Sequence, residues 1–117
     1  MPAAALNHRP EIKRALDEML LGSREMSAGR AFGYPCYKVF GKVFVFVGGS
    51  GLGVKLPPAR VQELIESDDR CQPFEPKEGL VWKNWVSIRP LTPLECVGLA
   101  PLLDESAEYV VEKELSG

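Results

Sequence analysis

The chain of 117 residues contains few of the residues that build metal sites, disulfide frameworks or membrane spans. Its only histidine is His8, and its three cysteines, Cys36, Cys71 and Cys96, are too widely spaced for a zinc site or a redox pair. An odd number of scattered cysteines favours free thiols in a reducing compartment. No apolar run approaches the ~20 residues of a spanning helix, and residues 1–14 lack the apolar stretch of a signal peptide. We therefore expect a cytoplasmic protein with no metal, no cofactor and no membrane partner.

Catalytic patterns are also missing. The glycines from Gly48 to Gly53 superficially resemble a phosphate-binding loop, but they precede a strand and lack the Gly-Lys-Ser/Thr ending. The acidic residues Asp68, Asp69, Glu75 and Glu78 lack the periodicity of a calcium loop and are expected in solvent. No nucleophile has a base at a matching spacing, so the sequence predicts no catalytic residues and no enzyme.

Charge is unevenly distributed along the chain, although the net charge is only −2. Residues 1–60 hold nine Lys or Arg against four Asp or Glu, and residues 61–117 hold five against twelve. One interpretation is a basic face that meets an anionic partner or the acidic half of another copy. The other is that the charges mix in space when the chain folds.

The middle of the chain predicts three antiparallel strands, over Cys36–Val39, Lys42–Val47 and Leu52–Leu56. Phe40 and Gly41 separate the first two, and glycine in the second loop position suits the positive φ of a two-residue hairpin turn. The glycine-rich turn that follows leads into the third strand. This register places Val39 opposite Lys42 and Val47 opposite Leu52.

Alternation with period two then gives the predicted sheet two different faces. The first is aliphatic and is expected to pack under helices: Cys36, Val43, Val45, Val47, Leu52, Val54 and Leu56. The second is aromatic and cationic: Tyr37, Val39, Lys42, Phe44, Phe46, Gly53 and Lys55. Lys38 falls on the aliphatic side, a misfit that either an end-of-strand position or a β-bulge would relieve. The predicted binding site is Tyr37, Lys42, Phe44, Phe46 and Lys55 on the second face.

Helices are predicted on both sides of these strands. An amphipathic helix is expected over residues 7–21, capped by Asn7, and a second from Pro57 to Ser67. Thr92 and Glu95 form a capping box for a third helix, which Pro101 should kink or break, with Asp104 capping a further segment.

The remaining strands are less regular in sequence. Residues 30–34 predict a short strand, Cys71–Gly79 an edge strand or loop, and Trp85–Ile88 the last strand. The expected fold is α+β with two layers: an antiparallel sheet of about five strands, covered by helices on one face, in the order α-β-β-β-α-β-β-α. Residues 1–117 are expected to form a single domain.

Residues 29–57 (GRAFGYPCYKVFGKVFVFVGGSGLGVKLP) resemble the first sheet of the TfoX N-terminal domain and of the related YjbR-type proteins. Residues 82–88 (WKNWVSI) and the helical segment after them are similar to the closing half, so the likeness runs from Ile12 to Val111. It implies a compact two-layer domain that often self-associates. Residues 31–34 (AFGY) replace the family's usual Met-Phe-Gly-Gly, and the sequence ends before the added helical domain of the longer competence regulators. We therefore expect no role in competence.

Together these observations predict a binding module of the TfoX N-terminal type that self-associates or binds a protein through its second sheet face. Relatives of the YjbR type are likened to a double-wing DNA-binding fold, which makes a nucleic-acid-binding regulator the alternative. A third reading is that a helix or tail simply covers the aromatic face. The expected partner is a second copy or another protein.

Overall fold

Four helices and six strands make up the part of the chain that the computed structural model describes, residues 10–48 and 51–116. The helices are α1 (Pro10–Leu20), α2 (Pro58–Ser67), α3 (Pro93–Val97) and α4 (Ala100–Ser116). The strands are β1 (Met26–Ala31), β2 (Tyr34–Val39), β3 (Lys42–Val47), β4 (Leu52–Lys55), β5 (Cys71–Lys77) and β6 (Leu80–Ile88). The strands form one antiparallel sheet in the order β1-β2-β3-β4-β6-β5. The α+β class is confirmed, with one strand more than expected.

Several predicted boundaries need correction. Residues 30–34 do not form a strand of their own: Arg30 and Ala31 end β1, Phe32 and Gly33 form the turn, and Tyr34 begins β2. Strand β6 begins at Leu80, five residues before the predicted start. The capping box of Thr92 and Glu95 is confirmed at the start of α3. Pro101 lies in the first turn of α4, where it is tolerated, so the break precedes it. The predicted cap Asn7 lies outside the described residues.

The two predicted hairpin registers are confirmed. Val39 lies opposite Lys42 and Val47 lies opposite Leu52. Between them, however, the pairing of β2 with β3 shifts: Tyr37 pairs with Val45, whereas Lys38 pairs with Val43. One residue of β3 therefore has no counterpart on β2, which defines a β-bulge at Phe44.

This bulge changes which side chains face the helices. Tyr37, Val39 and Phe44 lie in the core on the helix side, although the sequence predicted them on the open face. Cys36 and Val43 lie in a cluster on the other side, although the sequence predicted them under the helices. The physical reason is that an extra residue inverts the alternation of side chains on one side of the bulge. Lys38 is no longer a misfit, because it lies beside Gly29 and Cys36 on the open face.

The main core lies between the sheet and the helices. It includes the predicted aliphatic residues Val45, Val47, Leu52, Val54 and Leu56, all buried. Helix α1 contributes a stripe at helical spacing, Ile12, Leu16 and Leu20. Helix α4 adds Leu103, Ala107 and Val110 to the same core. Full burial of each large aliphatic side chain contributes roughly 1.5–3 kcal/mol, so this layer carries most of the stability.

Two hydroxyl groups attach helices to the sheet. Tyr37 Oη donates a hydrogen bond to Asp17 Oδ1 at 2.5 Å and lies 3.1 Å from the carbonyl oxygen of Lys13. Ser106 Oγ, on α4, donates to the carbonyl oxygen of Lys55 at 2.5 Å and lies 3.3 Å from that of Phe44. Phe44 is the bulge residue, so Ser106 supplies a contact where the ladder is interrupted.

Candidate binding groove on the open sheet face

The sheet face opposite the helices carries six aromatic side chains in mutual contact. We call them the aromatic cluster: Phe32, Tyr34, Phe46, Phe74, Trp82 and Trp85. Neighbouring ring centroids are 5.0–6.5 Å apart, the range in which aromatic pairs attract one another. Phe46 is central, because it contacts four of the other rings and is only 4% exposed. The open face therefore has a small apolar core of its own.

Irregular strand pairing brings the two tryptophans into this cluster. Residues three apart on a regular strand point to opposite faces. Between β5 and β6, however, Pro73 pairs with Val86 while Phe74 pairs with Trp82. The residues of β6 between these pairs have no counterpart on β5, and both Trp82 and Trp85 reach the open face. Trp85 is buried and Trp82 is half-buried, and both belong to the cluster on the open face rather than to the main core.

Glycine at position 53 allows the cluster to lie flat on the sheet. A Cβ atom built on Gly53 would lie 2.4 Å from Phe74 Cε1, well inside van der Waals contact. The ring of Phe74 therefore rests on the backbone of β4 and stacks with Phe46 at a centroid distance of 5.9 Å. Any side chain at this position must displace the ring.

Phe32 occupies an unusual place at the tip of the β1–β2 hairpin. Its φ is +54°, followed by +82° at Gly33, so the turn has positive φ at both central positions. Left-handed backbone costs a residue with a Cβ about 1–2 kcal/mol. The side chain is 69% exposed, yet its ring lies 5.3 Å from that of Trp82 and 6.1 Å from that of Phe46. This arrangement keeps a large apolar ring at the surface beside the cluster.

Part of the cluster lines a concave surface of about 400 Å³, which we call the aromatic groove. Its lining is four rings, two lysines, one amide and one aliphatic side chain: Phe32, Phe46, Trp82, Trp85, Lys42, Lys55, Asn84 and Val43. None of these residues is a carboxylate. Such a lining can stack against planar or apolar groups, attract anions, and both donate and accept hydrogen bonds.

The structure divides the five predicted site residues into two groups. Lys42, Phe46 and Lys55 line the aromatic groove together. Tyr37 and Phe44 do not, because both are fully buried on the helix side of the sheet. Burial and the hydrogen bond to Asp17 raise the pKa of Tyr37, so its hydroxyl stays protonated. The prediction of a shared face is thus wrong for these two residues.

Sequence reasoning missed Phe32, Trp82, Trp85 and Asn84 as groove residues. A signal for Phe32 was present, since Phe32 and Gly33 repeat the dipeptide of Phe40 and Gly41, which the sequence had identified as a hairpin turn. No comparable signal marks the tryptophans, because their shared face depends on the irregular pairing of β5 with β6.

A second concavity of about 480 Å³ is lined by Phe46 and Phe74 together with residues of β4, β5 and β6. Its lining mixes Arg89 with Glu75 and Glu78 around Tyr34, so its charge does not favour ions of one sign. On the helix side, a groove between α1 and α3 includes Leu94, which is 80% exposed.

The three cysteines are buried and free. Burial raises the pKa of Cys36, Cys71 and Cys96, which keeps the thiols protonated and poorly nucleophilic. Within the described residues, no group of three His, Cys, Asp or Glu side chains is placed to hold a metal ion. No helix in that part of the chain is both long and apolar enough to cross a membrane.

Comparison with known proteins finds no family model, no curated protein and no solved structure that matches this chain.

Proposed function

We propose that this protein is a non-enzymatic binding module that holds an acidic segment of a partner protein in the aromatic groove, with an apolar side chain of that segment against the rings. The observation that carries the proposal is the groove lining: four aromatic rings beside Lys42 and Lys55 without a carboxylate. Aromatic rings supply contact area at low entropic cost, and two ammonium groups favour an anionic partner over a cationic one.

The chemistry of the rest of the face supports binding rather than catalysis. The thiol of the open-face cluster, Cys36, is fully buried, and burial raises its pKa. The lysines and the amide of Asn84 can hold a ligand, but the groove lining includes no carboxylate, histidine or hydroxyl that would serve as base or nucleophile.

A peptide titration tests the proposal. The probe is a short fluorescein-labelled peptide with one phenylalanine between glutamates, and anisotropy measures its binding. We expect saturable binding that the double variant Lys42→Glu plus Lys55→Glu weakens at least tenfold, because the variant reverses both charges. The matched control is Lys77→Glu plus Lys113→Glu, which makes the same charge change outside the groove. Absence of saturable binding, or equal losses in both double variants, contradicts the proposal.

Single-stranded nucleic acid is the second candidate, because Phe32 and Trp82 present accessible rings on which bases stack at about 1–3 kcal/mol each. It ranks below a protein segment because affinity for phosphates grows with the number neutralised, and the groove has only two lysines. A labelled oligothymidine in the same titration separates the two candidates. Binding that falls steeply with salt, together with no binding of the acidic peptide, would favour nucleic acid.

The proposal also includes the cellular compartment of the protein and the family to which it is related. Three free, buried thiols fit a reducing compartment, which supports a cytoplasmic protein. Kinship with the TfoX N-terminal and YjbR-type proteins is supported by the resemblance of residues 29–57, and self-association is the property of that family most relevant here. Light scattering on the purified chain tests self-association directly, and a monomer at every concentration would contradict it.

A further inference from the structure

The two edges of the sheet differ in how they are protected against pairing with another chain. The edge strand β5 contains Pro73 and Pro76, which lack the N–H group that an added strand requires. The opposite edge strand, β1, contains no proline, and Arg30 is its only charged residue. Within the described residues, no strand pairs with the outer side of β1. This edge therefore lacks the devices that usually prevent strand addition.

The hairpin geometry determines which backbone groups of β1 point outward. The β1–β2 hairpin has a two-residue turn, and Ala31 and Tyr34 flank it as a hydrogen-bonded pair. The backbone N–H and C=O groups of Ala31 and of every second residue before it therefore bond to β2. The hydrogen bond from the Phe40 N–H to the Glu25 carbonyl oxygen agrees with this alternation. The N–H and C=O groups of Ala28 and Arg30 and the C=O group of Met26 consequently point away from the sheet, whereas the Met26 N–H donates to the carbonyl oxygen of Ser23 at 3.2 Å.

We propose that β1 pairs antiparallel with β1 of a second copy of this chain, around a two-fold axis at Ala28. Such a pair is self-complementary, because the same edge is used by both copies. Ala28 then lies opposite Ala28 of the second copy, and Met26 lies opposite Arg30 of that copy. The result is one continuous twelve-stranded sheet, made from two six-stranded sheets.

Charge and side-chain size select this register from its neighbours. Residues that lie opposite each other in a pleated sheet must point to the same face, so the two-fold axis must pass through a residue of β1 and not between two residues. The alternative registers therefore differ by moving the axis one residue along the strand. An axis at Ser27 extends the second copy past the start of β1 and brings its Arg30 toward Arg24 in the preceding turn, and neighbouring like charges are destabilising. An axis at Gly29 sets Met26 opposite the turn residue Phe32 and shortens the paired segment. At Ala28 the centre of the pair contains only Ser27, Ala28 and Gly29, whose small side chains allow close approach.

Size-exclusion chromatography with light scattering on the full chain tests the pairing. We expect the mass of a dimer, and Ala28→Pro should shift the dimer dissociation constant at least tenfold toward monomer, because it removes an outward N–H that the monomer does not use. Ala28→Lys, which opposes two ammonium groups across the axis, should do the same. Ala28→Val is the matched control that keeps both the N–H and neutrality, and its dimer should persist. Circular dichroism verifies that each variant is folded.

Cysteine cross-linking tests the register. Under mild oxidation Ala28→Cys should form an intermolecular disulfide at least tenfold faster than Ser27→Cys, because two opposed residues lie within disulfide reach whereas Ser27 is displaced from its own copy by about 8 Å. A monomeric unaltered chain, a dimer that survives Ala28→Pro and Ala28→Lys, or faster cross-linking at Ser27 would overturn the proposal. The pairing does not depend on the aromatic groove, so the peptide titration with the Ala28 variants should give unchanged affinity.

Discussion

The two faces of the sheet differ in composition and in what covers them: the helix face is mainly aliphatic, and the open face is mainly aromatic. On the helix side, Phe44 and Tyr37 are fully covered by packed helices, and Tyr37 is held by Asp17. On the open side, Phe46 packs with other rings of the aromatic cluster, one of which, Phe32, is itself 69% exposed. We infer from this difference that the helix side of the sheet contributes mainly to stability, whereas the open side leaves aromatic rings accessible to a partner.

The largest expected effect is the removal of Phe44. We expect Phe44→Ala to lower the free energy of unfolding by about 3–5 kcal/mol, because the helices around it leave a cavity that cannot close. Phe46→Ala should cost about 1 kcal/mol less, since partly exposed rings can move into the space. Urea denaturation of both variants gives the comparison. A greater loss for Phe46→Ala would show that the open face carries the stability.

The next largest effect on stability is expected at Gly53, where the ring of Phe74 lies against the backbone of β4. We expect Gly53→Ala to cost about 1–3 kcal/mol, because its Cβ would lie 2.4 Å from Phe74. The loss should shrink when Phe74→Ala is present, and a double-mutant cycle measured by urea denaturation isolates this contact. Gly22→Ala is the control, since nothing lies within 4 Å of its added atom. Equal losses at the two glycines would contradict the stacking of Phe74 on β4.

A smaller effect is expected at Tyr37, on the helix side. Tyr37→Phe removes the hydrogen bond to Asp17 and should cost about 1 kcal/mol near neutral pH. Partial burial raises the pKa of Asp17, but hydrogen bonds from Lys13 and Tyr37 lower it more, so the folded pKa lies below the ordinary value of 3.8.

The pH dependence of that effect has a definite sign. A carboxyl whose pKa is lower in the folded state stabilises the fold above its unfolded pKa and loses this contribution as pH falls through the folded pKa. The difference between Tyr37→Phe and the unaltered chain should therefore shrink as the pH is lowered from 5 toward 2. Thermal unfolding across this range measures it. A difference that grows on acidification would contradict the assignment.

The smallest effect on stability is expected at the exposed turn residue Phe32. Phe32→Gly relieves a φ of +54° but loses the contact with Trp82, so the free energy of unfolding should change by less than about 1 kcal/mol. Peptide binding in the groove should nevertheless weaken several-fold. Phe40→Gly is a close control, because Phe40 has a φ of +50° and the same 69% exposure but does not line the groove. Equal peptide affinities for the two variants would argue against the groove.

Local signals predicted most of the elements. The pair Phe40 and Gly41 predicted a hairpin and its register, and the capping box of Thr92 and Glu95 predicted the start of α3. The prediction of the site was less successful: Lys42, Phe46 and Lys55 do share a groove, but Tyr37 and Phe44 lie on the other side of the sheet. The error has one origin, the β-bulge at Phe44, because strict alternation assigns faces correctly only along an uninterrupted ladder.

By itself, the sequence determined the turn at Phe40 and Gly41, the start of α3 and the α+β class, because glycine at positive φ, side-chain caps and hydrophobic periodicity act over a few neighbouring residues. Only the tertiary structure decided which aromatic rings are buried and which line the groove. That choice depends on the bulges in β3 and β6, where the pairing depends on long-range contacts with α4 and β5. The alternation of residues along a single strand does not predict such contacts.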